Sequence, residues 1–232
     1  MENMYFKNRE EYRKYLNDHV VKRLGTHASR DGVCSLMDNG YVVKALYDEY
    51  YPNFAFQFKD FDIPSYIFSK TGAFVDGFVV AVFMDYAKGE SVEQHKPIDQ
   101  EIITLGTHLD LVAKDTKTIG EQGVKVNDFH CGNIIYDSNI FKIIDTLVYD
   151  LLTKGDYSKD NIYEVMNRLL AGILDDIMKY RIIRERYSFL GNLDYLENPK
   201  AYLIELKKFI EELTEKPINT LKEADNALKM KL

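Results

Sequence analysis

Three oxygen-bearing side chains stand out by type and spacing. Asp128 and Asn133 lie in a polar loop, Asp128-Phe129-His130-Cys131-Gly132-Asn133, that runs into the apolar pair Ile134-Ile135. The turn Asp137-Ser138-Asn139 follows, and a second short apolar run, Phe141 to Ile144, ends on Asp145. A carboxylate and a carboxamide ahead of one hairpin strand, with another carboxylate at the end of the next, can converge on one point. Such oxygen ligands suit a hard divalent cation. The adjacent His130-Cys131 has no second half that would complete a zinc site. His130 is expected to shape the loop, and Cys131 to fill a small buried or half-buried space.

The elements that must position these groups are legible from periodicity. Residues 8–24 read as a helix, with Asn8 and Glu11 as a capping-box start and Tyr12, Tyr15, Leu16 and Val20 at helical spacing. From about 25 to 85 the apolar residues become β-branched and aromatic. Asp38-Asn39-Gly40 predicts a hairpin with a type I′ turn. Ser65–Ser69 and Gly77–Met84 read as two further strands, punctuated by Thr71-Gly72 and Asp76-Gly77. The first third is therefore expected to be a small twisted antiparallel sheet. Beyond Ala87 the chain turns helical, with Ile98–Thr118 as one helix. Ile162, Val165, Met166, Leu169, Leu170, Ile173, Leu174 and Ile177 form a nearly complete amphipathic stripe. Asn161 and Glu164 are expected to cap that helix. Pro199 opens a last helical tract, with Leu203, Leu206, Ile210 and Leu213 on one side.

Composition narrows the class. The chain has 232 residues, 46% hydrophobic and 29% charged, enough for a full core without a disulfide or metal staple. Two cysteines, Cys34 and Cys131, make no disulfide framework and fit a reducing cytosol, so a cytoplasmic protein is expected. A net charge of −7 argues against nucleic-acid binding, which needs a basic footprint. The longest apolar runs, such as Phe78 to Met84, fall far short of a membrane span, and the amino terminus shows no secretion-signal pattern.

The stretch from Asp128 to Asp145 resembles the catalytic loop and metal-binding motif of the protein-kinase-like superfamily. There an Asp-x-x-x-x-Asn loop precedes the Asp of an Asp-Phe-Gly motif. The form Asp128-Phe129-His130-Cys131-Gly132-Asn133-Ile134-Ile135, followed by Ile143-Ile144-Asp145, is especially similar to small-molecule members such as the aminoglycoside phosphotransferases. The resemblance implies that Asp128 is the catalytic base and that Asn133 and Asp145 hold Mg²⁺. Tyr41-Val42-Val43-Lys44 resembles the lysine strand of the same superfamily, implying that Lys44 contacts the ATP α- and β-phosphates. Upstream, Gly25 to Cys34 stands where the glycine-rich loop belongs, with Ser29 and Gly32 in place of its last two glycines. Asp85 and Tyr86 stand at the hinge that carries adenine through backbone groups.

The pattern also departs from the family. Val126 replaces the usual His two before the base, Asn127 the Arg just before it, and Thr146-Leu147 the Phe-Gly after the metal Asp. Little room exists for a helix between Lys44 and the strand near Ser65, and Glu49 is the candidate partner for Lys44. Asp160 to Glu164 resembles the start of the helix that follows the activation segment, leaving only Thr146–Lys159 for that segment.

The fold expected from this resemblance is α+β and two-lobed. An amino-terminal lobe over 1–85 would carry an antiparallel sheet, and a helical carboxyl-terminal lobe over 86–232 the catalytic loop and metal site. The implied activity is ATP- and Mg²⁺-dependent phosphoryl transfer to a hydroxyl, with a protein Ser, Thr or Tyr as first acceptor. A small-molecule hydroxyl and a nucleotide-binding pseudokinase without turnover are the rivals. No motif identifies the last fifty residues.

Overall fold

The computed structural model describes residues 1–24, 32–137, 140–152 and 155–232. The chain divides into two units: Met1–Asp62 with Ile67–Ala87 and Asp145–Leu147, and Ile63–Tyr66 with Lys88–Ile144 and Val148–Leu232.

The first unit is built on β1 (Met4–Phe6), α1 (Arg9–His19), β2 (Val20–Arg23), β3 (Gly32–Met37), β4 (Val42–Tyr50), α2 (Pro52–Ala55), β5 (Thr71–Val75) and β6 (Phe78–Met84). The strands form one six-stranded sheet in the order β1-β5-β6-β4-β3-β2. All pairings are antiparallel except β1 with β5, a parallel edge that the sequence reading did not anticipate. The Asn8 side chain caps α1 by accepting from the Glu11 N–H at 2.9 Å. The helix ends at His19, not at 24. The β-branched Val20-Val21 leaves it for an extended conformation and enters the sheet opposite Met37.

The type I′ geometry expected at Asn39-Gly40 appears instead at Asp76-Gly77, where no hairpin was expected. Val75 pairs with Phe78 across Asp76 (φ 51°) and Gly77 (φ 84°), the two-residue turn with both central residues left-handed. At Asp38-Asn39-Gly40 only Gly40 is left-handed, at φ 85°. The Gly40 N–H bonds to the Met37 carbonyl at 3.0 Å and the Met37 N–H to the Tyr41 carbonyl at 2.9 Å. The hairpin forms as expected, with a longer turn than type I′.

The sheet buries both faces. On one, Met37, Val43, Ala81 and Phe83 pack with Tyr12, Tyr15 and Leu16 of α1. On the other, Phe74, Val79 and Val82 pack with Ala55 and with Leu147. Between β4 and β5 the chain makes only the single turn α2. The expected strand at Ser65–Ser69 is not a strand. These residues are buried, but partners other than a ladder satisfy the backbone. The Ser65 N–H donates to the Asp115 carboxylate at 2.8 Å, and the Ile67 carbonyl accepts from the Thr146 hydroxyl at 2.9 Å.

The second unit contains β7 (Glu90–Ser91), α3 (Ile102–Glu121), β8 (Val124–Lys125), β9 (Ile134–Tyr136), β10 (Phe141–Ile143) and β11 (Asp150–Leu151). The helices α4 (Ser158–Met178), α5 (Arg181–Tyr187), α6 (Leu193–Glu197), α7 (Pro199–Thr214) and α8 (Leu221–Lys231) follow. The helix expected from Ile98 begins four residues later. Its first residues form a turn instead, where the Ile98 carbonyl accepts from Lys222 N–H at 3.0 Å and Glu101 bridges to Thr220. All eight positions of the α4 stripe are buried, each such side chain contributing roughly 1.5–3 kcal/mol of transfer free energy. Among the described residues no helix is long and apolar enough to cross a membrane.

Candidate functional site

In the first unit, β4 carries Lys44 opposite Cys34 on β3 and Val82 on β6. Alternation along the strand puts Val43 toward α1, and Lys44 on the other sheet face with Val82. Lys44 is only 1% exposed. Burying an ammonium demands a counter-charge, and the Lys44 Nζ donates to the Asp145 Oδ1. Asp145 sits in the left-handed region at φ 62°, a conformation that costs a non-glycine residue energy and persists only where its surroundings enforce it. Here Thr146 donates to the Ile67 carbonyl and Leu147 enters the apolar cluster, fixing the two residues that follow. Burial pushes the Cys34 thiol above its usual range, Lys44 opposing and Asp145 adding to the effect.

In the second unit, the loop after β8 is held residue by residue. The Val126 N–H donates to the Asn161 Oδ1 at 3.0 Å, and Asn161 Nδ2 donates to the Val124 carbonyl at 2.8 Å. Asn161 is 1% exposed; it is not the expected helix cap but a buried clamp on the loop. Tyr157 occupies the cap position instead. Asn127 Nδ2 donates to the Asp150 carboxylate at 2.8 Å and to the Val148 carbonyl at 3.3 Å. Asp128, between these clamped residues and the buried Phe129, is exposed and left-handed at φ 52°. The His130 Nδ1 accepts from Gly132 N–H at 3.1 Å, capping the 3-10 turn Cys131–Asn133. That is the shaping role expected of it. Cys131 Sγ donates to the Arg168 carbonyl at 3.3 Å, and burial raises this thiol too, followed by the nearby Glu93. The Asn133 carbonyl accepts from the N–H of Ile144, the residue before Asp145, at 2.9 Å.

The remaining predicted positions are distributed as follows. Gly32 opens β3, where an added methyl would overlap the Ala45 carbonyl, so the close approach of the paired strand β4 accounts for this glycine. Ser29 lies outside the described residues, with the rest of the Gly25–Asp31 stretch. Glu49 is not the partner of Lys44. Its carboxylate accepts from the exposed Arg9 guanidinium at 2.6 Å, and five residues of extended chain separate it from Lys44 on the same strand. Asp85 and Tyr86 follow β6 directly and are exposed. Sequence reasoning missed Asn161 and Asp150. The signal for Asn161 was its place on the apolar stripe, one helical turn before Val165: a polar residue on a buried face needs buried partners.

No protein-family model matches this chain. No curated protein sequence matches it. Among solved structures it is similar to the kinase domain of Mycobacterium tuberculosis PknI, at 14% sequence identity and a TM-score of 0.50. The likeness covers 92% of this chain and 95% of that one. The sheet unit with its buried strand lysine, the helical unit with its clamped loop, and this likeness give the chain a protein-kinase-like fold of the α+β class.

Proposed function

We propose that the chain is an ATP- and Mg²⁺-dependent phosphotransferase whose acceptor is a Ser, Thr or Tyr hydroxyl of a protein. The observation that carries this reading is the pairing of the buried Lys44 with Asp145. A structural core gains little from burying a lysine against a carboxylate when an apolar side chain would pack there. A site for a polyphosphate and a metal needs both charges.

The donor chemistry fits Mg²⁺. Asp145 and Asn133 offer a carboxylate and a carboxamide oxygen, and no group of three or more His, Cys, Asp or Glu forms a metal cage among the described residues. Mg²⁺ typically takes one or two carboxylates and completes its shell with phosphate oxygens and water. When bound, the metal supplies charge neutralisation for the transferring phosphoryl group. Lys44 orients the α- and β-phosphates. The backbone after β6 at Asp85 and Tyr86 takes the adenine, and Gly32 and Ser29 stand in sequence where the resemblance puts the phosphate loop. Asp128 accepts the proton of the acceptor hydroxyl as its oxygen bonds to the γ-phosphorus. The bond to the bridging oxygen breaks and ADP leaves. A cytoplasmic location goes with this reading, since both cysteines are free thiols.

The small-molecule acceptor is the second reading, favoured by the His130-Cys131-Gly132 form of the loop. Incubation with γ-labelled ATP and Mg²⁺ in a cell lysate separates the two. Label in acid-precipitable protein supports the first and label in the soluble small-molecule fraction the second. ATP binding without any transfer contradicts both and leaves a pseudokinase.

A further inference from the structure

The segment after Asp145 is short, and backbone pairing holds its described residues on both sides. β11 pairs with β8 in the register Asp150 to Lys125 and Leu151 to Val124. The Leu152 N–H donates to the Gly123 carbonyl at 2.9 Å and the Tyr157 N–H to the Gly120 carbonyl at 3.1 Å. Gly123 (φ 84°) and Gly120 both let this segment approach closer than a side chain permits. Protein kinases commonly order the corresponding segment by phosphorylation, through new arginine–phosphate pairs. Here the residue before Asp128 is Asn127, and its carboxamide already donates to the carboxylate of Asp150. Among the described residues the hydroxyls that a kinase would modify are withdrawn; Thr153 lies outside them. Thr146, Tyr149 and Ser158 are buried, at 4%, 2% and 6% exposure, and Tyr157 is half-buried.

We propose that the Asn127–Asp150 hydrogen bond is a permanent latch that holds the segment and the left-handed backbone of Asp128 in working geometry without phosphorylation. Asp150 supplies from the chain the negative charge that phosphorylation supplies elsewhere. It is a positioning residue, acting on Asp128 through Asn127. The kinetic half of this inference rests on the phosphotransferase reading; the structural half does not.

The test compares Asp150→Ala, Asp150→Asn, Asn127→Ala and the double alanine variant. Phosphoryl transfer is followed from γ-labelled ATP to dephosphorylated casein. Amide hydrogen exchange is followed at Val126 and Leu152, with α4 as the internal control for folding. Asp150→Ala should lower kcat roughly 10- to 100-fold, the scale of a misplaced catalytic group, with KM for ATP within about twofold. Asp150→Asn keeps an oxygen acceptor and should retain most of the rate. Asp150→Ala should add nothing in the Asn127→Ala background. Phosphatase treatment of the wild-type protein should leave its rate unchanged. Exchange at Val126 and Leu152 should quicken in Asp150→Ala while α4 stays protected. Loss of activity on phosphatase treatment, or additive effects of the two alanine substitutions, would overturn the latch. If the wild type transfers no phosphoryl group, the phosphotransferase reading falls, and the exchange measurement decides the latch alone. Unchanged exchange at both amides then rejects it.

Discussion

The ammonium of Lys44 donates to the carboxylate of Asp145, a residue 101 positions later in the chain. Neither partner is placed by its neighbours' packing preferences alone. Lys44 takes a position on the inner sheet face where apolar residues flank it, and Asp145 takes a left-handed backbone to meet it. In this pair the Lys44 side chain is 2% exposed and that of Asp145 23%.

Removing the acid should therefore be felt in stability as well as in activity. Asp145→Ala leaves a buried ammonium without its carboxylate, at a cost of roughly 3 kcal/mol, and should abolish transfer. Lys44→Met replaces the buried charge with an apolar chain of similar shape and should cost less stability, while weakening phosphate positioning. Urea unfolding of the two single variants and the double variant measures the coupling. Equal stability losses for both singles, summing in the double, would show that the pair is not linked.

The Asn161 clamp gives a second expectation. Asn161→Ala strands a buried N–H at Val126 and a buried carbonyl at Val124, and each unmade bond costs about 1–3 kcal/mol. A loss of about 2–4 kcal/mol in chemical denaturation is expected. A loss within a few tenths of a kcal/mol would mean that the loop holds itself.

Gly120 in α3 offers a change in which two effects oppose. Helix propensity alone favours alanine by about 1 kcal/mol. A methyl group there would overlap the Ser158 backbone at the start of α4, and overpacking typically costs about 1–3 kcal/mol. Gly120→Ala should lower the thermal midpoint; a raised midpoint would show that the α3–α4 approach can relax.

Cys34 carries a pH expectation. Its thiol is raised by burial, so the folded state holds the proton more tightly than the unfolded chain. Stability from this group is present below the unfolded value, about 8.5, and declines as pH rises above it. Iodoacetamide should label Cys34 more slowly in the folded protein than in urea at pH 8, and equal rates would contradict the burial.

Much of this was legible in the sequence where residue type and period act together. The α4 stripe and the β3–β4 hairpin follow directly from apolar spacing and turn residues, whereas the strand β5 was placed too early, at Ser65–Ser69. Asn161 was misread because a polar residue in a helix's first turn ordinarily caps it, and only tertiary packing turns it inward. Val20 and Val21 fit a continuing helical stripe until the sheet edge beside β3 offers them backbone partners. Ser65–Ser69 has strand composition but makes only an isolated bridge, Tyr66 to Ile143, while Asp115 and Thr146, distant in sequence, bond its backbone at Ser65 and Ile67. Glu49 was paired with Lys44 by elimination, and strand geometry carries it away to Arg9.

On the phosphotransferase reading, Asp128 acts on the acceptor hydroxyl and not on the nucleotide. Single-turnover transfer from γ-labelled ATP, measured beside ATP affinity for wild type and Asp128→Asn, tests it most directly. Loss of a general base predicts a rate lower by about two to four orders of magnitude, with ATP affinity unchanged. A variant that transfers at the wild-type rate, or that loses ATP binding in proportion to its rate, would show that Asp128 is not the base.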